Sequence, residues 1–145
     1  MKGLIQRVTS ASVVVAGETV GSIDSGILLL LGVEREDDRA RADKLLHKVI
    51  HYRIFEDDQG KMNRSLLDVG GGLLVVSQFT LVADTAKGMR PSFSSGASPQ
   101  LGKELYDYFV LQAKGQLSEV ASGRFGADMK VSLTNDGPVT FLLEV

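Results

Sequence analysis

An Asp136-Gly137-Pro138 step near the end of the chain, within LTNDGPVTF (residues 133–141), sets the tightest limit on the fold. Apolar residues alternate with polar ones on both sides of it, a pattern typical of a β-hairpin built on an Asp-Gly turn. In such a turn the residue after the glycine donates its N–H to the residue before the aspartate, but proline has no N–H. The pattern therefore predicts strand on both sides and leaves the role of the Gly-Pro pair open.

The length and composition predict an ordinary globular protein. A chain of 145 residues can bury a core without crosslinks, so we expect a single domain over residues 1–145. The chain has no cysteine, which excludes a disulfide framework, a thiolate zinc site and a cysteine nucleophile. The apolar run GILLLLGV is far shorter than the ~20 residues of a membrane span. We therefore expect a soluble, cytoplasmic protein.

The charge balance limits the kind of nucleic-acid contact that the surface can make. The net charge is −2, from 16 lysines and arginines against 18 aspartates and glutamates. A surface with this balance has no broad basic field of the kind that holds duplex nucleic acid. Any RNA partner must therefore be bound through a few local residues.

Hydrophobic periodicity predicts a mixed α/β chain, rich in strand, with two main helices. One helix has an apolar stripe with a spacing of 3.6 residues and can be capped by Asp37 or Asp38, and the second ends at Gly115. Their stripes consist of Ala42, Leu45, Leu46, Val49 and Ile50, and of Leu101, Leu105, Tyr108, Phe109 and Gln112. Strands are predicted at 4–16 and 19–23 around a Gly17-Glu18 turn, at 27–33 and 73–79 as runs buried on both faces, and at 52–57.

Three other polar or glycine-rich stretches are better explained by structure than by function. His47 and His51 are four residues apart, but no third ligand is evident, so we expect no metal there. The glycines of VGGGLL precede a strand without the Gly-Lys-Ser/Thr of a phosphate-binding loop, which predicts a turn. The acidic run EREDD (34–38) is predicted to be a solvated entrance to the first helix.

The stretch SQFTLVADTAKGMRPSF (77–93) is the strongest candidate for a functional site. Ser77, Gln78 and Thr80 interrupt the end of a buried apolar strand, where α/β folds commonly place their sites. Lys87 and Arg90 follow and would suit a phosphate or a ribose. A structural explanation also stands, since Ser and Thr can simply terminate a strand.

Two motifs together resemble a known family. SQFTL (77–81) and NDGPVT (135–140) look like the paired signature of the D-aminoacyl-tRNA deacylases, also called D-tyrosyl-tRNA deacylases. Similar stretches run along the whole chain, namely IQRV, GKMNRS, ADTAKGMRPSF and GRFGADMKVSLTNDGPVTF. The resemblance implies a layered β/β/α fold with mixed sheets, and a homodimer that has its active sites at the subunit interface.

The resemblance also implies a role for the Gly-Pro step. In this family the peptide that matches Gly137-Pro138 is cis, and its loop reaches into the active site of the other subunit. Its backbone carbonyls meet the α-amino group of the substrate there, so an L-aminoacyl side chain would collide with the loop while a D-aminoacyl group or glycine would not. Arg7 matches the arginine that is expected to orient these carbonyls.

The implied reaction is hydrolysis of the ester between a D-amino acid and the terminal adenosine of tRNA, and also of glycyl-tRNA. We expect Ser77, Gln78, Phe79 and Thr80 to form the catalytic pocket, with backbone N–H groups near Phe79 and Thr80 as oxyanion donors. The ribose 2′-hydroxyl is expected to assist without any cofactor, and a Thr80 acyl-enzyme is the competing mechanism. The residues expected to bind substrate are Lys87, Arg90, Met129 and Asn135.

Two other classes of function remain open at the level of sequence. A module that binds the tRNA end without turnover would share this pocket. A purely structural dimerisation domain would bind no tRNA, but it leaves both the polar strand end and the proline after Asp-Gly unexplained.

Overall fold

The fold, described over all 145 residues by a computed structural model, is organised around one long strand. This strand, β1 (Lys2–Val15), belongs to a six-stranded mixed sheet. It pairs antiparallel with β2 (Glu18–Ile23) and β3 (Gly26–Gly32), and it pairs with β8 (Lys130–Glu144) along nearly its whole length. The predicted hairpin between β1 and β2 is present, but its two turn residues are Ala16 and Gly17, which have φ of 50° and 80°.

Two further strands extend the sheet in parallel. β6 (Gly72–Ser77) pairs with β3, and β7 (Val120–Ser122) pairs with β6. The separate pair of β4 (Phe55–Glu56) and β5 (Met62–Arg64) contains the two strand residues of the predicted 52–57 segment. The continuous apolar runs are therefore the parallel strands of the sheet, as is usual for strands covered on both faces.

Both faces of β3 and β6 are covered, as the sequence predicts. Alternate residues of these strands point to opposite sides of the sheet. One set packs in the larger core beneath the helices, and the other lies in a second core enclosed by the curled half of the sheet. The first set includes Ile27, Leu29, Leu73 and Val75, and the second includes Leu28, Leu74 and Val76.

The two predicted helices are present and lie on one face of the sheet. α1 (Arg39–His51) begins after Asp38, whose side chain accepts the Arg41 N–H, and the whole predicted stripe of α1 is buried. A four-residue helix, α2 (Leu66–Val69), was not predicted. The second main helix, α3 (Pro99–Gln116), extends one residue beyond the predicted end. The helices form one layer, and the two halves of the curled six-stranded sheet form the other two. The result is the expected β/β/α arrangement. None of the helices has both the length and the apolar character needed to cross a bilayer.

Three local predictions require correction. Gly70 has a left-handed conformation and ends α2, so the glycine run is a helix end as well as an approach to β6. The strand predicted to run to residue 79 ends at Ser77, and a 3-10 helix (Phe79–Val82) follows. The acidic run is not simply solvated, because Asp37 is buried and its carboxylate lies 2.9 Å from the amino group of Met1.

Candidate active site

The first half of the candidate site lies at the carboxyl ends of the parallel strands. Ser77 is the last residue of β6 and pairs with Leu31 of β3. The N–H of Gln78 donates to the carbonyl of Leu31 at 2.8 Å, which holds the chain against β3 after the strand has ended. The polar residues of the SQFTL motif therefore leave the buried sheet at the edge where α/β folds usually place ligands.

The 3-10 helix leaves two backbone donors free of acceptors within that helix. Its first hydrogen bond is donated by the Leu81 N–H to the Gln78 carbonyl at 3.2 Å. The N–H groups of Phe79 and Thr80 precede that bond, so the helix contains no acceptor for them. Two neighbouring N–H groups at an exposed strand end can both donate to one developing negative charge.

The Thr80 hydroxyl receives its hydrogen bond from an amide. The Gln78 Nε2 donates to the Thr80 Oγ1, and both side chains are accessible at the edge of the sheet. An amide N–H is a donor and cannot accept the proton of the hydroxyl. The contact therefore orients the Thr80 side chain without supplying a base for its hydroxyl.

An aromatic contact holds the loop that carries the two predicted basic residues. The Phe79 side chain is 66% exposed, and its ring centroid lies 5.3 Å from that of Phe93. The loop before Phe93 is closed by a pair of backbone hydrogen bonds between Asp84 and Ser92. Lys87 and Arg90 lie in this loop with exposed side chains, so the structure brings them to the same region as residues 77–80.

Met129 belongs to the same half of the candidate site. Its side chain is partly buried against the second core. A methyl group placed on Gly123 would lie 2.6 Å from the Met129 Sδ and 3.8 Å from a methyl group of Val76. Met129 therefore packs beside the last residues of β6 and β7, close to Ser77 at the end of β6.

The second half of the candidate site is the Gly-Pro step, which is not a hairpin. β8 continues through it as one strand that remains antiparallel to β1. Asn135 pairs with Val8 and Thr140 with Gln6, so β8 advances five residues where β1 advances two. The intervening residues form a loop that bulges from the strand, and the Gly137-Pro138 peptide within it is cis.

Asn135 supplies the acceptor that closes this loop. Its Oδ1 accepts the N–H of Val139 at 2.7 Å, and its Nδ2 donates to the Thr140 Oγ1 at 2.9 Å. The missing N–H of Pro138 is thus replaced by that of the next residue, which bonds to a side chain instead of to the backbone. Both polar groups of the Asn135 amide are used within the loop.

Arg7 lies beneath the loop and is almost fully buried, with 7% of its surface exposed. Its Nε donates to the Asp136 carbonyl at 3.0 Å, and its Nη1 donates to the Ile54 carbonyl at 2.7 Å. Gly137 has a φ of 137°, and a methyl group there would lie 3.2 Å from the Arg7 Nη2. The arginine fork therefore links the loop to the segment after α1, and the positive φ together with a 2.6 Å approach to the Val139 Cγ2 favours glycine at position 137.

The two halves lie at opposite ends of the sheet. Arg7 pairs with Ile27 near the start of β3, whereas Ser77 pairs with Leu31 near its end. Four residues of strand correspond to about 13 Å, and the two strand spacings between β1 and β6 add about 10 Å across the sheet. The SQFTL and NDGPVT motifs therefore lie apart within one chain.

Some residues near the site were not indicated by the sequence patterns. The Tyr106 hydroxyl donates to the carbonyl of Val75 in β6 at 2.8 Å, and burial raises its pKa to about 12, so it remains a donor. The carbonyl of Ile54 accepts a hydrogen bond from Arg7. As a backbone group, it cannot be identified from the residue types in the sequence. The two histidines lie on the exposed side of α1, with ring centroids 4.1 Å apart and the His51 Nδ1 2.8 Å from the His47 carbonyl oxygen. No group of three or more metal-ligating side chains is assembled.

The fold and the site define a strand-rich α/β protein with backbone donors at the carboxyl ends of the parallel strands of a mixed sheet, an arrangement suited to acyl transfer chemistry. A family model described as D-Tyr-tRNA(Tyr) deacylase matches residues 4–144. Relatives named D-aminoacyl-tRNA deacylase are 70% identical in Stutzerimonas stutzeri strain A1501, over 99% of both chains, and 68% identical in Pseudomonas putida strain W619, over 100% of both. The chain belongs to this deacylase family and is, as predicted, a hydrolase that acts on D-aminoacyl-tRNA.

Solved structures agree with this assignment of the fold. The c-Myc DNA unwinding element binding protein superposes with a TM-score of 0.95 at 38% identity, covering 100% of this chain and 99% of that chain. A probable eukaryotic D-amino acid tRNA deacylase superposes with a TM-score of 0.83 over 99% of this chain and 98% of that one. The second is only 17% identical and supports the fold alone.

Proposed function

We propose that the chain works as a homodimer in which residues 77–80 of one subunit and the Gly137-Pro138 loop of the other form one active site. The separation of these two motifs at opposite ends of the sheet carries the proposal. Each half presents ligand-binding groups at the surface, but neither can complete the other within the chain. A second copy related by twofold symmetry supplies the missing half at both sites.

The chemistry is hydrolysis of the ester that links the amino acid to the terminal ribose. Water adds to the acyl carbon, the bond from that carbon to the ribose oxygen breaks, and the ribose oxygen takes up a proton. The N–H groups of Phe79 and Thr80 hold the oxyanion that forms on the acyl oxygen, and the neighbouring ribose 2′-hydroxyl assists the proton transfers. The free donors at the start of the 3-10 helix support this assignment.

A Thr80 acyl-enzyme is the weaker alternative. A hydroxyl nucleophile needs a base within hydrogen-bond distance. The partner of the Thr80 Oγ1 is the amide nitrogen of Gln78, which supports a shaping role for both side chains. Ser77, the last residue of β6, lines the same pocket.

The Gly-Pro loop provides the chiral selection. Its backbone carbonyls accept hydrogen bonds from the α-amino group of the substrate, and an L-aminoacyl side chain would then collide with the loop. Glycine has no side chain to reject, so glycyl-tRNA is also hydrolysed. The contacts from Arg7 and Asn135 support this role, because a steric filter must be held in place.

Three of the remaining predicted residues contact the tRNA directly, and the fourth acts through the Gly-Pro loop. Lys87 and Arg90 carry exposed positive charge in the loop that the Phe79–Phe93 contact joins to the pocket, and they contact phosphates. Met129 packs at the same edge and contacts the terminal nucleoside. Asn135 acts on the substrate through the loop that it closes, because its own polar groups are already paired.

Turnover on matched D-aminoacyl-, L-aminoacyl- and glycyl-tRNA tests the proposal. We expect hydrolysis of the D-aminoacyl and glycyl substrates and none of the L-aminoacyl substrate. Binding of all three without turnover would instead favour a silent tRNA-end module. Equal hydrolysis of D- and L-aminoacyl-tRNA would show that the Gly-Pro loop does not select chirality.

A further inference from the structure

A groove of about 440 Å³ lies between α3 and the segment that follows β7. One wall consists of the exposed side of α3, and the other consists of residues 122–125. We call it the α3 groove. The contacts of the 77–80 pocket and of the Gly-Pro loop described above do not involve the residues of its α3 wall.

The α3 groove carries an excess of positive charge. Its walls include Lys103, Lys114 and Arg124 against the single carboxylate of Asp107. Lys103 is paired with Asp107 at 2.6 Å, whereas Lys114 and Arg124 have no ion-pair partner. The groove is therefore locally positive on a chain whose net charge is −2, and it can attract a negatively charged ligand.

The strand register places one end of the groove beside the candidate active site. β7 is parallel to β6, with Ser122 opposite Val75, and the Gly123 N–H donates to the Val75 carbonyl at 3.0 Å. A methyl group placed on Gly123, which lines the groove, would lie 2.6 Å from the Sδ of Met129, a residue of the candidate site. The groove therefore starts near the carboxyl end of β6, where the proposed function places the ester.

We infer that the α3 groove binds the phosphodiester backbone of the tRNA strand that leads to the aminoacylated end. Lys103 and Lys114 are separated by about 16 Å along the axis of α3, which suits a run of phosphates better than a single anion. Leu111, with 66% of its surface exposed between them, offers an apolar contact for riboses or bases. This inference rests on the proposed function, because it assumes that the ester lies beside Ser77.

The first test measures the binding of deacylated tRNA as a function of salt concentration. This binding does not depend on catalysis. The variant is the double substitution Lys114→Gln and Arg124→Gln. The matched control is Lys44→Gln and Lys48→Gln, which removes two exposed, unpaired charges from the outer side of α1. We expect the groove variant to reduce the log–log salt slope by about 1.4, at about 0.7 per phosphate contact on a single strand. The control should leave the slope unchanged.

The second test compares a full and a minimal substrate. For D-aminoacyl-tRNA we expect the groove variant to raise KM about tenfold with kcat unchanged, because phosphate contacts contribute to binding and not to the chemical step. For a D-aminoacyl-adenosine, which has no phosphodiester, both variants should match the parent.

The outcomes separate the groove from the proposed function. Equal losses in the groove variant and the α1 control, or no loss in either, would overturn the inference. A parallel loss on D-aminoacyl-adenosine would also overturn it, since the groove would then be affecting the reaction itself. If the parent hydrolyses neither substrate, the proposed function fails, and the salt slope of tRNA binding still decides whether the groove holds RNA.

Discussion

The backbone N–H of Phe79 is the single group on which the proposed chemistry depends most. Phe79→Pro removes this donor, and proline fits the first position of a helical turn, where no N–H bond within the helix is lost. We expect kcat for D-aminoacyl-tRNA to fall about 10²- to 10³-fold, the usual effect of deleting one oxyanion donor. Single-turnover kinetics with saturating enzyme measure this step.

Phe79→Ala is the matched control for that substitution. It removes the exposed ring but keeps the backbone donor. We expect Phe79→Ala to retain a kcat close to that of the parent. If both variants lose kcat equally, the side chain matters and the N–H does not hold the oxyanion.

Thr80 separates the two proposed mechanisms. Because its hydroxyl is bonded by the Gln78 amide and has no base beside it, Thr80→Ala should lower kcat less than about tenfold. Rapid quenching of the parent followed by mass spectrometry should find no acylated protein. A loss of several orders of magnitude, together with a trapped acyl-Thr80, would establish the covalent route instead.

At this scale the sequence predicts where a residue lies in the fold better than which contacts it makes. Polar residues at the end of a buried strand mark Ser77 and Thr80, because such groups are costly to bury without a reason. The partner of Arg7 could not be inferred in the same way. Its acceptors are backbone carbonyls 47 and 129 residues away, and only the tertiary fold brings them together.

The loop within β8 is the element whose shape most depends on one side chain. Asn135→Ala removes the acceptor of the Val139 N–H and the donor to Thr140. We expect a loss of about 1–2 kcal/mol in the free energy of unfolding. We also expect weaker rejection of L-aminoacyl-tRNA, because a mobile loop is a poorer steric filter. Urea unfolding and the ratio of kcat/KM for D- and L-substrates measure these two effects.

Asn135→Asp is the control for this element. The carboxylate still accepts the Val139 N–H but can no longer donate to Thr140. We expect it to keep most of the chiral selection that Asn135→Ala loses. Equal behaviour of the two variants would mean that the Val139 bond does not hold the loop.

The elements that the sequence predicts well are the long ones. The stripe of α1 and the apolar runs of β3 and β6 repeat often enough for periodicity to identify them. α2 and the 3-10 helix have four residues each, which is too short for a periodic signal. The sequence also does not predict that β8 continues through the Gly-Pro step as one strand. That continuity follows from the pairing of β8 with β1 on both sides of the loop, and not from the local sequence.

At the scale of the whole molecule, the proposed homodimer raises the question of which subunit supplies the Gly-Pro loop. Sequence resemblance places the two motifs in one site, and the sheet register places them apart in one chain. The length of the chain and its apolar pattern contain no information on this point, because an interface between copies uses the same kinds of residues as a surface. A complementation experiment answers it directly.

The experiment mixes two variants that are each impaired in one half of the site. Gly137→Ala should disable the loop, because a methyl group at a φ of 137° would lie 2.6 Å from the Val139 Cγ2 and 3.2 Å from the Arg7 Nη2. The strain at this position is expected to cost about 1–3 kcal/mol, so the protein should remain folded. Phe79→Pro impairs the pocket, and each homodimer alone should have little activity.

In a heterodimer, the intact pocket of the Gly137→Ala chain meets the intact loop of the Phe79→Pro chain. Random exchange of subunits makes half of the dimers mixed, each with one working site of two, so about a quarter of the parent activity should return. Native mass spectrometry of the mixture verifies that heterodimers have formed. If they have formed and the mixture stays as inactive as its two components, the loop serves its own subunit and the cross-subunit site is wrong.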